Sequence, residues 1–311
     1  MLSRNLKNNF LINFLFVFPV LVFSLCSPLF SADLEKPVVF VSISPQKYFV
    51  EQIAGDMVEV KVLVAPGISP HAYEPLPQQM AQLSRARLFF AIGLPFEKVL
   101  LEKLKSIFSE LKIVQTDEEI SKRLLASDSN REDGLAHVHH AGCDHEAGAP
   151  DPHSWLDPQN VKIMAEKIAA VLNEIWPDHQ TKINDRLLAF QSRLEKAQEE
   201  VAKLLKPYEG RSILVFHPAF GYFTDRFGLK QRAIEVEGKE PTPRQIVQII
   251  RQAKAEKARV IFVQQQFSGR AAQTIAEAIS GSVTAIDPLA EDYFANLKLM
   301  AQKIAEGLAN E

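Results

Sequence analysis

Short β-branched runs alternate with longer helical patterns from residue 37 onward, and this alternation constrains the fold more than any other feature of the chain. The first series contains the predicted strands 38–43, 58–64, 88–92 and 111–114. The second series contains the predicted strands 213–216, 232–236, 260–263 and 283–286. Strands that alternate with helices at this spacing form βαβ units around a parallel sheet. The sequence therefore predicts an α/β fold with two lobes, each with a mostly parallel four-stranded sheet flanked by helices.

One long helical pattern lies between the two series. Apolar residues recur at alternating steps of four and three over residues 178–205, which predicts a helix of about seven turns and about 40 Å. We therefore expect an N-terminal lobe over 33–176, a linking helix over 177–207 and a C-terminal lobe over 208–311. The N-terminal lobe includes a polar, histidine-rich loop over 115–150. A single rigid connecting helix predicts only a small hinge motion between the lobes.

The first 32 residues differ from this globular pattern. Arg4 and Lys7 precede an apolar run over 10–25, and small residues follow at Ser31 and Ala32. This order of charge, apolar run and small residues is typical of a secretory signal peptide, which we expect to be cleaved near Ser31 and Ala32. The sequence therefore predicts export to the periplasm.

Two alternatives for this segment remain open. The apolar run is only marginally short for a single transmembrane anchor. Cys26 could carry a lipid, although the bulky Leu25 precedes it where a small residue is expected. Removal of residues 1–32 would leave Cys143 as the only cysteine, so we expect no disulfide.

The composition excludes other classes of protein. Hydrophobic residues make up 47% of the 311 residues, which is too apolar for a disordered chain. The 35 Lys and Arg residues nearly balance the 38 Asp and Glu residues, and neither half carries a basic block. We therefore predict no nucleic-acid partner.

Three histidines and one aspartate stand at comparable places in the two predicted lobes. His71, His217 and Asp287 follow predicted strands, and His153 precedes a predicted helix. Ligands of parallel sheets bind beyond the carboxyl ends of the strands, so we expect these four side chains to hold one metal ion in the cleft between the lobes. Each position alone has an alternative: a hydrogen-bonded loop histidine, or for Asp287 a helix N-cap.

This donor set indicates which metal is bound. Three neutral imidazoles and one carboxylate suit Zn²⁺, which binds four ligands tetrahedrally at about 2.0–2.2 Å. Mn²⁺ favours a larger share of carboxylates. Four protein ligands leave no position for a reactive water, so we predict no enzyme and no catalytic residue. A secreted zinc hydrolase with an open coordination position remains an alternative.

A second group of metal-binding side chains lies within the predicted loop. It comprises His137, His139, His140, Cys143, Asp144 and His145. A histidine-rich tract of this kind favours a secondary, low-affinity metal site beside the main one. The alternative is a polar, solvated linker.

Four motifs carry a family resemblance. They are residues 70–75 (PHAYEP), 151–158 (DPHSWLDP), 216–223 (FHPAFGYF) and 237–242 (EGKEPT). With them the chain resembles the exported zinc- and manganese-binding subunits of ABC metal importers, in the zinc-uptake branch, over nearly all of residues 37–308. The resemblance implies two α/β lobes joined by one rigid helix, with His71, His153, His217 and Asp287 as the metal ligands between them.

The resemblance also implies a function. It implies a monomeric, non-enzymatic receptor that captures Zn²⁺ and delivers it to the membrane permease of an ABC-type importer. Manganese-type members tend to carry Glu where this chain has His217, which favours zinc. A manganese receptor and a metal-dependent surface adhesin remain the alternatives. Gln264 stands where the family usually has Glu, and Leu76 where Thr is common; we expect neither residue to contact a predicted ligand.

Overall fold

The computed structural model describes residues 36–71, 73–125, 148–235 and 240–310. The predicted signal peptide, the cleavage region at Ser31 and Ala32, and the predicted secondary metal site lie outside the described residues. Among the helices of the described part, none is both long and apolar enough to span a bilayer.

The first sheet contains four parallel strands in the order β2-β1-β3-β4. These strands are β1 (Val38–Val41), β2 (Glu59–Val62), β3 (Leu88–Ala91) and β4 (Lys112–Gln115). The helices between them are α1 (Ser44–Ala54), α2 (Pro77–Leu83) and α3 (Glu97–Ile107). We call this sheet, its helices and the described residues 116–125 and 148–157 that follow β4 the N-terminal lobe.

The second sheet repeats the same topology with the order β6-β5-β7-β8, again all parallel. Its strands are β5 (Ser212–Val215), β6 (Lys230–Ala233), β7 (Val260–Val263) and β8 (Ser282–Ala285). Its helices are α6 (Gly221–Arg226), α7 (Pro243–Ala255), α8 (Arg270–Ala278) and α9 (Tyr293–Ala309). We call this sheet and its helices the C-terminal lobe. Two four-stranded parallel sheets flanked by helices confirm the predicted fold class, whereas the exact lobe boundaries stay a prediction.

Two helices connect the lobes. Helix α4 (Pro158–Ile175) begins at Pro158 and is capped by Asp157, whose carboxylate accepts a hydrogen bond from the Gln159 amide. Helix α5 (Gln180–Leu205) has 26 residues, or about 39 Å at 1.5 Å per residue. It packs against α1 and α4 and also against α9, so one helix contacts both lobes.

Aromatic side chains fill the junction at α5. Phe190 on α5 lies 6.0 Å from the ring of Phe49 on α1 and 5.5 Å from the ring of Phe294 on α9. Phe49 in turn meets Tyr293 edge-to-face at 5.1 Å. Phe49 and Phe190 are buried and belong to one continuous core that includes residues of both lobes. This shared core holds the two sheets in a fixed relation.

One strand begins two residues earlier and ends three residues earlier than predicted. The predicted strand 232–236 is observed as β6 at Lys230–Ala233. Lys230 and Gln231 are polar because β6 is an edge strand, so the apolar pattern gave no sign of where the strand begins. Glu235 therefore lies beyond the carboxyl end of the strand, next to the cleft.

A buried carboxyl group stabilises the turn after β3. The Glu97 carboxyl accepts hydrogen bonds from the backbone N–H groups of Ile92, Gly93 and Leu94 at 2.7–3.2 Å. The Ser42 hydroxyl also donates to it. Burial raises the pKa of Glu97 to about 7, because the loss of hydration outweighs these hydrogen bonds, which lower it.

This raised pKa predicts a pH-dependent stability. Folded Glu97 keeps a proton that the unfolded chain releases above about 4.5, so its contribution is complete at low pH and is lost as the pH rises through 7. Between pH 5 and 8 we expect the wild type to lose about 2–3 kcal/mol of unfolding free energy relative to Glu97→Gln. Urea denaturation of both metal-free proteins measures this difference. A difference that stays constant over this range contradicts the assignment.

Candidate metal centre

Three histidines from distant parts of the chain meet between the lobes. His71 lies in the loop after β2, His153 precedes the short helix before α4, and His217 follows β5. Their ring centroids are 4.5–5.5 Å apart, and one potential ligand atom from each lies within 4.8 Å of the other two. His153 and His217 are buried, and His71 is half-buried. The three imidazoles are therefore close enough to bind one ion.

Carboxylates fix the orientation of the two buried rings. His153 Nδ1 lies 2.8 Å from an oxygen of Asp151, and His217 Nδ1 lies 2.8 Å from an oxygen of Glu235. An ionised carboxylate only accepts hydrogen bonds, so each Nδ1 carries the proton and donates it. A ring with this tautomer presents the lone pair of Nε2 to the cleft. This carboxylate–histidine arrangement is the one that orients imidazole ligands at metal sites.

The two Nε2 atoms of His153 and His217 face each other at 3.3 Å. Two lone pairs at this distance repel unless a cation lies between them. Two nitrogens bound to zinc at about 2.0–2.1 Å in tetrahedral geometry are about 3.3–3.4 Å apart. The observed separation therefore matches an edge of a zinc coordination tetrahedron.

Apolar side chains enclose the histidines. Phe267 stacks on the His217 ring, with centroids 4.6 Å apart and planes at 18°. Trp155 is fully buried and donates a hydrogen bond from its indole nitrogen to the Pro288 carbonyl at 2.9 Å, which joins the two lobes beside the site. Leu289 lines the same pocket. Apolar walls lower the local dielectric constant, which strengthens electrostatic interactions inside the pocket.

The predicted ligand Asp287 lies outside the group of three histidines. It follows β8 at the same edge of the sheet, where one carboxylate oxygen accepts hydrogen bonds from the Leu289 amide at 2.9 Å and the Gln266 side chain at 3.3 Å. Such hydrogen bonds are typical of the N-cap role that the sequence offers as the alternative for Asp287. Its ligation of a metal therefore stays a prediction.

Asp151 is held from two sides. Its carboxylate is fully buried and accepts a hydrogen bond from Arg123 Nη1 at 2.6 Å as well as from His153. Burial alone would raise the pKa of Asp151, but the hydrogen bonds and charges of His153 and Arg123 lower it below its ordinary value. Asp151 therefore stays ionised and remains a strong acceptor for His153.

Sequence reasoning missed three residues that support the histidines. Asp151 stands in a quoted motif without an assigned role, and Glu235 falls inside the misplaced strand. The expectation that Gln264 contacts no predicted ligand is wrong. Its amide accepts from the His217 backbone N–H at 3.2 Å and donates to the His217 carbonyl at 2.8 Å. A polar residue directly after a buried strand, as Gln264 follows β7, was the available signal.

Comparison with known proteins identifies the class. The family model "ZnuA: Zinc-uptake complex component A periplasmic" matches residues 39–307. The chain is 28% identical over 268 residues to the high-affinity zinc uptake system protein ZnuA of Yersinia pestis, covering 83% of this chain and 84% of that protein. It is also 28% identical over 274 residues to the manganese ABC transporter substrate-binding lipoprotein PsaA of Streptococcus pneumoniae, with the same coverage of 83% and 84%.

A solved structure agrees with these sequence matches. A crystal structure of ZnuA superimposes with a TM-score of 0.78 at 39% identity, covering 88% of this chain and 99% of that chain. Fold and matches together define a metal-binding receptor of ABC-type import rather than an enzyme. The chain belongs to the ZnuA family of periplasmic zinc-uptake components.

The geometry predicts the tautomers of the two buried rings. In metal-free protein near pH 8, we expect His153 and His217 each to show an Nδ1–H resonance that exchanges slowly with water, because each proton is buried against a carboxylate. Glu235→Gln should perturb the His217 signal and leave the His153 signal in place. The exposed His179 serves as the control for a rapidly exchanging ring. Protonation at Nε2 in either buried ring, seen in nitrogen-15 spectra, contradicts the assignment.

Proposed function

We propose that the protein is a high-affinity extracytoplasmic zinc receptor, which captures Zn²⁺ and delivers it to the membrane permease of an ABC-type importer. The observation that carries the proposal is the group of three imidazoles, His71, His153 and His217, whose ligand atoms lie within 4.8 Å of one another. We propose these three as metal ligands, with Asp287 as the fourth. Membership of the ZnuA family supports the link to import.

The donor chemistry supports zinc as the cargo. The zinc relative of Yersinia pestis and the manganese relative of Streptococcus pneumoniae are both 28% identical to this chain, so these two relatives do not select the metal. The proposed set contains three imidazole nitrogens and one carboxylate, whereas Mn²⁺ favours a larger share of carboxylate and water oxygens. Imidazole suits Zn²⁺, and the 3.3 Å separation of two Nε2 atoms fits tetrahedral ligation.

The route to the cleft and the protein's location belong to the same proposal. We propose that residues 1–32 are a signal peptide cleaved near Ser31 and Ala32, and that the mature protein is a periplasmic monomer. The histidine-rich tract from His137 to His145 would provide a secondary site of lower affinity. Because a ligating imidazole must give up any proton on its Nε2, zinc binding should weaken as the pH falls below the ordinary imidazole range near 6.5.

Substitution of one ligand tests the site. We expect purified wild-type protein to bind one Zn²⁺ tightly in competition with a chromophoric chelator, and His217→Ala to bind about 100-fold more weakly or worse, because a direct ligand is lost. His179→Ala is the matched control, since His179 is exposed and does not belong to the described group of three histidines. Unchanged zinc affinity in His217→Ala contradicts the assignment of the site.

The same titration tests the choice of metal. When Mn²⁺ is added at the same total concentration as Zn²⁺, we expect it not to displace the bound zinc, because the nitrogen-rich donor set disfavours manganese. Element analysis of the protein after dialysis against both ions measures the outcome. Recovery of manganese in amounts comparable to zinc would instead support the manganese receptor.

A further inference from the structure

Helix α6 connects the C-terminal lobe to residues on the opposite side of the cleft. It begins four residues after His217. The Arg226 side chain donates two hydrogen bonds of 2.7 Å to the two carboxylate oxygens of Asp157, the residue that caps α4. The neighbouring Asp225 accepts a hydrogen bond from Arg123 Nε at 3.0 Å. Two arginine–carboxylate pairs therefore join this short helix to segments that precede α4.

Arg123 belongs to both this contact and the histidine site. Its Nε binds Asp225, and its Nη1 binds the fully buried Asp151, which holds His153 through Nδ1. Its backbone N–H also donates to the Tyr222 hydroxyl on α6 at 3.1 Å. One planar guanidinium thus links the orientation of an N-terminal-lobe imidazole to a helix of the C-terminal lobe.

Gly221 leaves just enough room for this guanidinium. A Cβ atom on Gly221 would lie 1.7 Å from Arg123 Nη1 and 2.8 Å from an oxygen of Asp151. The backbone of α6 therefore closes directly over the pair. A methyl group at position 221 would push Arg123 away from Asp151 without removing any charge.

We propose that Arg123 is a positioning residue, which locks Asp151 and through it His153 against α6, so that metal affinity depends on the contact between the lobes. The inference rests on the proposed function, since it assumes that His153 ligates the metal. Removal of a partner beyond the ligands typically weakens metal binding by about 10–100-fold. By reciprocity, metal in the cleft strengthens the contact between α6 and the N-terminal lobe.

Two variants separate position from charge. Arg123→Gln removes the guanidinium charge, and Gly221→Ala displaces the guanidinium while keeping its charge. Arg251→Gln on the exposed face of α7 is the control for charge. Gly269→Ala is the control for a glycine, because a Cβ there meets no atom within 4 Å. Each protein is assayed for zinc affinity by chelator competition and for the His153 Nδ1–H resonance in the metal-free state.

We expect both Arg123→Gln and Gly221→Ala to bind Zn²⁺ about 10-fold more weakly than wild type, with a shifted or exchange-broadened His153 resonance. Both controls should retain wild-type affinity and spectrum. If Arg123→Gln does not fold, Gly221→Ala by itself tests the proposal. Wild-type affinity in Gly221→Ala overturns the proposal, and so does tighter binding in Arg123→Gln, which would show that only the charge matters. Failure of the wild type itself to bind Zn²⁺ would instead reject the proposed function.

Discussion

Two buried imidazoles from different lobes face each other with their Nε2 atoms 3.3 Å apart, and the chemistry of the cleft depends on keeping them there. The arrangement places two lone pairs in contact range, which is unfavourable without a cation. It persists because Asp151 and Glu235 fix the proton on the opposite nitrogen of each ring. The free-energy cost of orienting the donor atoms is thus met during folding, before a metal binds. This preorganisation favours tight binding.

This preorganisation requires that the two lobes keep a fixed relative position. A core shared by α1, α5 and α9 joins them on one side of the molecule, through the rings of Phe49, Phe190 and Phe294. On the side of the cleft, the Trp155 indole reaches the Pro288 carbonyl. These contacts are buried and numerous. Separating the lobes would expose apolar surface to water, at a free-energy cost of about 25 cal/mol for each Å² exposed. The shared core therefore opposes a wide separation of the lobes.

The sequence predicted the fold and the three histidines better than their surroundings. Strand–helix alternation and the long apolar periodicity are local signals, so the sheets and α5 could be inferred directly. The meeting of His71 and His217 could be inferred because both residues follow parallel strands, whose carboxyl ends face the crevice of such folds. Hydrogen-bond partners such as Glu235 and Gln264 depend on which loops meet in space. No local sequence pattern predicts these contacts between loops. Glu235 was harder still to place because the edge strand β6, which precedes it, lacks an apolar pattern.

The most direct test of the account is the zinc coordination in the loaded protein, measured by X-ray absorption and by anomalous diffraction from a crystal. The account predicts one tightly bound ion in the cleft, with three imidazole nitrogens at about 2.0–2.1 Å, contributed by His71, His153 and His217. An ion bound elsewhere in the chain, or one in the cleft coordinated by six oxygens, would contradict it.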